Sequence, residues 1–182
     1  LITGATAGIG KATANIFARE GYRVIMTGRR SERLENLKRD LEESYQANIQ
    51  TLAFDIKDMA ASQKALGSLP EDWQDIDILI NNAGMGKGYA TFYEGNVEDW
   101  DEMIDTNIRG LLYLTRAISP SMVKRKSGHI INVASTSGKY VSAKNVVYSA
   151  TKFAVEGLTK SLRVDLFPHN IRVSQISPAM VK

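Results

Sequence analysis

The sequence contains no cysteine and only two histidines, His129 and His169. Without cysteine there is no disulfide framework, no thiol nucleophile and no thiolate metal site. That absence fits a reducing, cytoplasmic compartment. Two histidines are too few for a multi-histidine metal site, so no metal centre is expected. They also leave little room for Ser-His-Asp hydrolysis, and the G-x-S-x-G turn of such hydrolases is missing. An acid–base group in this chain is expected to be something other than histidine. No apolar run approaches the ~20 residues of a membrane span. Charge of one sign is scarce too: 23 Lys+Arg against 20 Asp+Glu leave +3, too mild an excess to argue for nucleic acid. No low-complexity tract, internal repeat or targeting segment is legible in these residues.

The residues that are present read as a globular α/β domain. Hydrophobic residues make up 43% and charged residues 24% of the chain, an ordinary balance. A length of 182 residues fits a single domain, residues 1–182, able to bury about 70% of its unfolded surface. Leu1-Ile2-Thr3 reads as the end of a buried strand, followed by glycines and a helix reaching about Glu20, with Gly21 as its stop. Arg23 to Thr27 is a second strand. Ser31 is a candidate cap for a helix with Leu34, Leu37 and Leu41 on one face. Ile49 to Phe54 forms a third strand, Met59 to Gly67 a short helix, and Ile76 to Ile80 a fourth strand. Asn96 caps a long helix expected to reach about Ile118, to be interrupted at Pro120 and to resume to Lys126. His129 to Val133 is a fifth strand, Tyr148 to Leu166 a helix with Ala154, Leu158, Leu162 and Leu166 four apart, and Ile171 to Ile176 a sixth strand. Strands this short and apolar are covered on both faces. Right-handed crossovers then give a doubly wound, Rossmann-type parallel sheet with helices on both sides. The chain starts inside one element and stops just after another, so both ends are expected to be incomplete.

Gly4, Gly8 and Gly10 lie between the first strand and its helix, as in a dinucleotide-binding turn. Gly4 allows the tight turn, Gly8 lets the backbone approach a pyrophosphate, and Gly10 permits close helix packing. A purely structural glycine turn is the alternative. The end of the second strand discriminates between dinucleotides. An NAD site usually carries Asp or Glu about 20 residues on, whereas Thr27-Gly28-Arg29-Arg30 offers no acid before Ser31. Two arginines just before a helix start oppose its dipole and need a compensating anion, and the 2′-phosphate of NADP is the one expected. The competing arrangement pairs them with Glu32 or Glu35.

Tyr148 and Lys152 are four residues apart at the start of a helix, hence on one face. A free phenol has a pKa of about 10, and bringing one to neutrality needs about 4 kcal/mol of preferential stabilisation of the phenolate. A lysine cation and an oxidised nicotinamide supply charge of the right sign. Tyr148 would then be a general base toward an alcohol or a general acid toward a carbonyl. The same spacing recurs at Tyr140 and Lys144, but in a loop, where it brings nothing together reliably. Ser135, at the end of the fifth strand, can converge with the Tyr148 hydroxyl on one substrate oxygen.

In order and spacing, TGxxxGIG at Thr3–Gly10, Asn81-Asn82-Ala83-Gly84, Asn107, Ser135 and Tyr148-x-x-x-Lys152 resemble the classical short-chain dehydrogenase/reductases over nearly the whole chain. The resemblance implies an oxidoreductase in which Tyr148 is the acid/base and Lys152 favours its ionised form and holds the ribose. Ser135 then bonds the substrate oxygen, and Asn107 anchors a water in a proton relay. It further implies that Thr6 and Ile9 belong to the glycine turn's cofactor contacts, that Asp55 meets the adenine, and that Asn81, Ala83 and Gly84 border the adenosine. Pro178 would lie beside the nicotinamide. The family carries a further strand and a substrate lid beyond this stretch, and it commonly forms homotetramers. Small residues at Ala150, Ala154, Gly157 and Ser161 suit such an interface or, equally, burial against the chain's own sheet.

One departure is Ala179, where Gly usually follows the proline; alanine lacks glycine's tolerance of positive φ. The stretches Thr27–Arg30, Leu69–Gly84, Glu98–Ala117 and Gly128–Asn132 look most like NADP-dependent 3-hydroxy acid dehydrogenases, which oxidise serine, allo-threonine and related small acids such as 3-hydroxyisobutyrate. Lys139 and Lys144 are candidates for a substrate carboxylate, and Met85, Tyr140 and Met180 for an apolar wall. A reductase of 3-oxoacyl thioesters borne on a carrier protein, and a non-catalytic nucleotide sensor, remain as alternatives. Neither nucleic acid nor membrane is an expected partner.

Overall fold

The pairing order of the strands locates the ligand end of the sheet before any side chain is considered. The computed structural model describes residues 1–179. Strands β1 (Ile2–Thr3), β2 (Val24–Gly28), β3 (Ile49–Ala53), β4 (Ile78–Asn81), β5 (Gly128–Val133) and β6 (Ile171–Ile176) form one sheet in the order 3-2-1-4-5-6. Every pairing is parallel. Helices α1 (Gly8–Arg19), α2 (Ser31–Tyr45), α3 (Met59–Gly67), α4 (Val97–Ile104), α5 (Leu111–Arg125) and α6 (Val146–Leu166) connect them. The order reverses between β1 and β4. In such sheets a crevice opens there, outside the carboxyl ends of the strands.

Alternate residues of each strand feed two cores. Val24 and Met26 pack with Ala14 and Ala18 of α1 and with Leu34, Leu37 and Leu41 of α2. Ile25, Leu79, Ile130 and Val173 turn the other way, onto Leu114, Ile118 and Met122 of α5 and Leu166 of α6. Both faces being covered, the strands read as unbroken apolar runs. Each fully buried leucine, such as Leu34 or Leu114, contributes about 2 kcal/mol by its removal from water.

Asp58 caps α3, accepting from Ala61 N at 2.9 Å, and Asn96 caps α4, accepting from Glu98 N at 2.7 Å. Ser31 does not cap α2. It is the first helical residue, and Arg30 holds the cap position without a side-chain bond. The long helix changes its hydrogen-bond pattern, but not at Pro120. A single π-helical turn, Asp105–Gly110, separates α4 from α5, and α5 continues through Pro120 to Arg125. The Pro120 ring deprives the Arg116 carbonyl of its partner, but both residues are on the exposed face, where water replaces the bond.

Helix α6 starts at Val146, ahead of Tyr148. Its fully buried stripe is Thr151, Val155, Thr159 and Leu166, with Ala154, Leu158 and Leu162 half-buried. Ala150, Gly157 and Ser161 are exposed, so this small-residue stripe is not spent on the chain's own sheet. No helix among the described residues is long and apolar enough to cross a membrane.

Candidate active site

A cleft of about 470 Å³ lies at the carboxyl ends of the strands, within the size range of ligand pockets. The turn after β1 forms its floor, with Gly4, Thr6, Gly8 and Ile9 on the wall. Gly4 has φ +65°, and a β-carbon there would stand 3.0 Å from Ala83 Cα. At Gly10 a β-carbon would collide with Gly4 O and stand 2.5 Å from Asn82 Nδ2, so α1 can begin under the turn only with glycine. Gly8 faces open space, with nothing within 4 Å of where its β-carbon would be. Thr3 ties this turn to the chain leaving β4: its Oγ1 accepts from Asn82 N at 2.9 Å and Ala83 N at 2.8 Å. Asn82 returns the tie, donating Nδ2 to Thr3 O at 2.8 Å.

Arg29 and Arg30 are on the rim beyond β2, both exposed. Among the described residues neither is ion-paired. Glu35 is engaged elsewhere, accepting from Thr51 Oγ1. Arg30 Nη2 donates to Thr6 Oγ1 at 3.2 Å, which brings one guanidinium over the glycine turn. Asp55, after β3, also lines the cleft; its Oδ1 accepts from Lys57 N at 3.1 Å.

At the other end, Ser135, Tyr148 and Lys152 line the same cleft, with Pro178 and Ala179 beside them. Ser135 Oγ accepts from Ser137 N at 3.1 Å, leaving its proton free to donate. Lys152 is 6% exposed, and Nζ donates to Val133 O at 3.1 Å. An ammonium has three donors, so two remain. Burial pushes the Lys152 ammonium down to about 8, because a low-dielectric surround disfavours the charge. Nζ lies 5.7 Å from the centre of the Tyr148 ring. Gly138 allows this arrangement, since a β-carbon there would stand 2.6 Å from Lys152 O. The carbonyl of Pro178 accepts from Thr136 N at 3.0 Å, fixing the chain after β6 against the Ser135 turn.

Three of the expected cofactor and catalytic residues stand off the wall. Asn81 is buried beneath it, donating Nδ2 to Thr115 Oγ1 at 3.0 Å and Asn132 Oδ1 at 2.9 Å; its neighbour Asn82 reaches the cleft instead. Successive strand residues face opposite sides, a signal that could have separated the two asparagines. Gly10 is buried under the turn. Asn107, brought inward by the π turn, is 2% exposed. Its Oδ1 accepts from Met85 N at 2.8 Å, and its Nδ2 donates to Met85 O at 2.8 Å and Thr151 Oγ1 at 3.0 Å. Met85 is on the cleft wall. Tyr140, Lys139 and Lys144 are exposed and absent from that wall. Met180 falls outside the described residues. Thr106 and Thr151 carry no sequence signal, and Thr3 and Asn82 stand in the motifs without an assigned role, because each matters through a partner far along the chain.

The wall suits an extended dinucleotide. Open space faces Gly8, unpaired guanidiniums stand at one end, and a buried ammonium with spare donors stands at the other. Residues 1–182 match the family profile described as short chain dehydrogenase. The NADP-dependent 3-hydroxy acid dehydrogenase YdfG of Salmonella typhi is 47% identical over 181 residues, covering 100% of this chain and 71% of that protein. A crystal structure of serine dehydrogenase from Escherichia coli superposes with TM-score 0.94 at 46% identity, over 98% of this chain and 81% of that one. A closed form of serine dehydrogenase complexed with NADP+ also gives 0.94, at 44% identity, over 100% of this chain and 71% of that one.

Proposed function

The chain belongs to the short-chain dehydrogenase family, and from that premise we propose that it moves hydride between NADP(H) and the carbinol carbon of a small 3-hydroxy acid. Serine, allo-threonine and 3-hydroxyisobutyrate are the substrates envisaged. One observation carries the reading: a single cleft has unpaired Arg29 and Arg30 at one end and Ser135, Tyr148 and Lys152 at the other. The relatives named for NADP-dependent 3-hydroxy acid and serine dehydrogenation support it.

NADP, when bound, supplies the hydride acceptor. Arg29 and Arg30 would hold its 2′-phosphate, an anion whose geometry a guanidinium fork matches. The Gly4–Gly10 turn, Thr6 and Ile9 included, would hold the pyrophosphate at the α1 N-terminus. Asp55, Ala83 and Gly84 would serve the adenosine, and Pro178 the nicotinamide. Ser135 donates its free proton to the substrate oxygen, stabilising the charge that develops there. Tyr148 takes the hydroxyl proton during oxidation and returns it during reduction. Lys152 offers its two spare N–H donors to the ribose and its charge to the phenol. Asn107 holds Met85 in place and keeps one Oδ1 lone pair for a relay water. Carboxylate recognition does not fall to Lys139 or Lys144, which stand off the wall. The exposed small residues of α6 suit a homo-oligomer, a tetramer by family pattern, and the lack of cysteine suits a cytoplasmic enzyme.

The test is the initial rate of NADP reduction with serine and with 3-hydroxyisobutyrate, NAD running in parallel. Turnover that prefers NADP supports the assignment. Silence with both acids, alongside reduction of 3-oxoacyl thioesters, would replace the substrate class.

A further inference from the structure

Between Asn82 and Ala90 the chain has neither helix nor strand, yet this segment passes close beside the ring of Tyr148. A β-carbon on Gly86 would stand 3.2 Å from Tyr148 Cδ2, a few tenths of an ångström inside ordinary contact, so glycine lets the loop pass close beside the ring. The loop is anchored on either side of that contact. On one side Asn107 brackets the Met85 peptide groups, as described above. On the other, Lys87 Nζ lies 2.8 Å from both Asp99 Oδ1 and Glu102 Oε2, two carboxylates a turn apart on α4.

The turn that follows is built around the same carboxylate. Gly88 has φ +64°, and a β-carbon there would stand 2.7 Å from Asp99 Oδ2. Asp99 thus receives the Lys87 ammonium and sets how closely the next residue passes. The electrostatics are mutual: Asp99 and Glu102 hold the Lys87 ammonium well above the usual lysine range, and Lys87 holds the Glu102 carboxyl below its usual range. Glu102 also faces the other way. Its Oε1 lies 3.8 Å from Lys57 Nζ, which is 3.9 Å from Asp55 Oδ2. Alternating charges therefore run from the acid at one end of the cleft to the loop against the phenol at the other.

We propose that Lys87 is a positioning residue for Tyr148. By clamping the loop to α4 through Asp99 and Glu102, it keeps Gly86 seated on the ring and so fixes the direction of the phenol. The inference rests on the reading of Tyr148 as the acid/base. Lys87 itself is exposed and absent from the cleft wall, so it acts through the loop.

Lys87→Ala and Lys87→Arg in the full chain test this, with kcat and KM measured and NADPH affinity read by fluorescence titration. Lys87→Ala is expected to lower kcat about tenfold, as expected for a misplaced catalytic group. NADPH affinity should change by less than about twofold, since no group on the cleft wall is removed. Lys87→Arg, which still reaches both carboxylates, should restore most of kcat. An unchanged kcat in Lys87→Ala, or no recovery in Lys87→Arg, overturns the proposal. Hydrogen exchange gives a readout independent of turnover: the Met85 amide, which donates to Asn107 Oδ1, should exchange faster in Lys87→Ala. Exchange as slow as in the wild type overturns the clamp. Absence of wild-type turnover on any carbonyl or alcohol is a separate result, and counts against the hydride-transfer reading instead.

Discussion

Lys152 and the Arg29–Arg30 pair are the cations of one cleft, and the fold houses them in opposite ways. Lys152 is buried, tied to the Val133 carbonyl and pushed down to about 8. The arginines stand exposed on the rim, and among the described residues Arg30 rests only on Thr6. Exposed guanidiniums cost the fold little and are screened by salt; they can select a ligand by charge. A buried ammonium destabilises the fold by its desolvation, but acts at full strength on what lies beside it. Recognition is thus left to the surface and chemistry to the interior.

The sharpest way to separate the two ends is Tyr148→Phe. It should lower turnover about 10³-fold while NADPH binding stays near wild type, because the arginine end is untouched. Turnover close to wild type in a rate assay would remove Tyr148 from the mechanism.

Next in size is a stability effect with a pH signature. The folded Lys152 pKa of about 8 lies below the ordinary 10.5. Between those values the unfolded chain binds more protons, so stability rises with pH there. Below about pH 8 both states are protonated and the full penalty, roughly 3 kcal/mol, is present. Lys152→Met should therefore be inactive yet more stable than the wild type at pH 7 by urea denaturation. Its advantage should shrink as pH rises from about 8 toward 10.5. A Lys152→Met variant less stable than the wild type at pH 7 would contradict the burial account.

At the exposed end, replacing Arg29 and Arg30 together with alanine should raise KM for NADP about 30-fold, the loss of one or two charge-assisted bonds. KM for NAD should change far less. Equal effects on both cofactors would erase the contrast between the two ends. The smallest effect belongs to Thr6→Val, which removes the acceptor for Arg30. KM for NADP should rise about fivefold, one neutral-partner bond's worth, and a null result in the same assay would make Thr6 incidental to the arginine's placement.

Much of this was legible in the residues. The six strands fall where the apolar runs stand, and Met59–Gly67 and Ile171–Ile176 have the expected limits. Local patterns of polarity and glycine specify such elements directly. What escaped depends on partners distant in sequence. Pro120 reads as the interruption of the long helix, yet its face is exposed; the irregularity is the π turn, where Gly110 fits against Ile56. Asn81 and Asn82 are indistinguishable as a pair, and only the strand's alternation sends one to Thr115 and the other to Thr3. Asn107 stands out in the sequence as a candidate, but its role as the bracket on Met85 does not, because that loop has no pattern of its own.

The place of β1 in the sheet also bears on how the chain is made. Ile2 pairs with Met26 on one side and with Ile80 on the other. The first partner is close in sequence, the second far along it. At ribosomal speed the interval before Ile80 is synthesised is on the order of ten seconds. Throughout it, one edge of a strand destined for the centre of the sheet has no neighbour and is open to pairing with another chain. Nonlocal parallel pairing of this kind also slows folding, so chaperone dependence during translation should be greatest before β4 emerges and relax once it has.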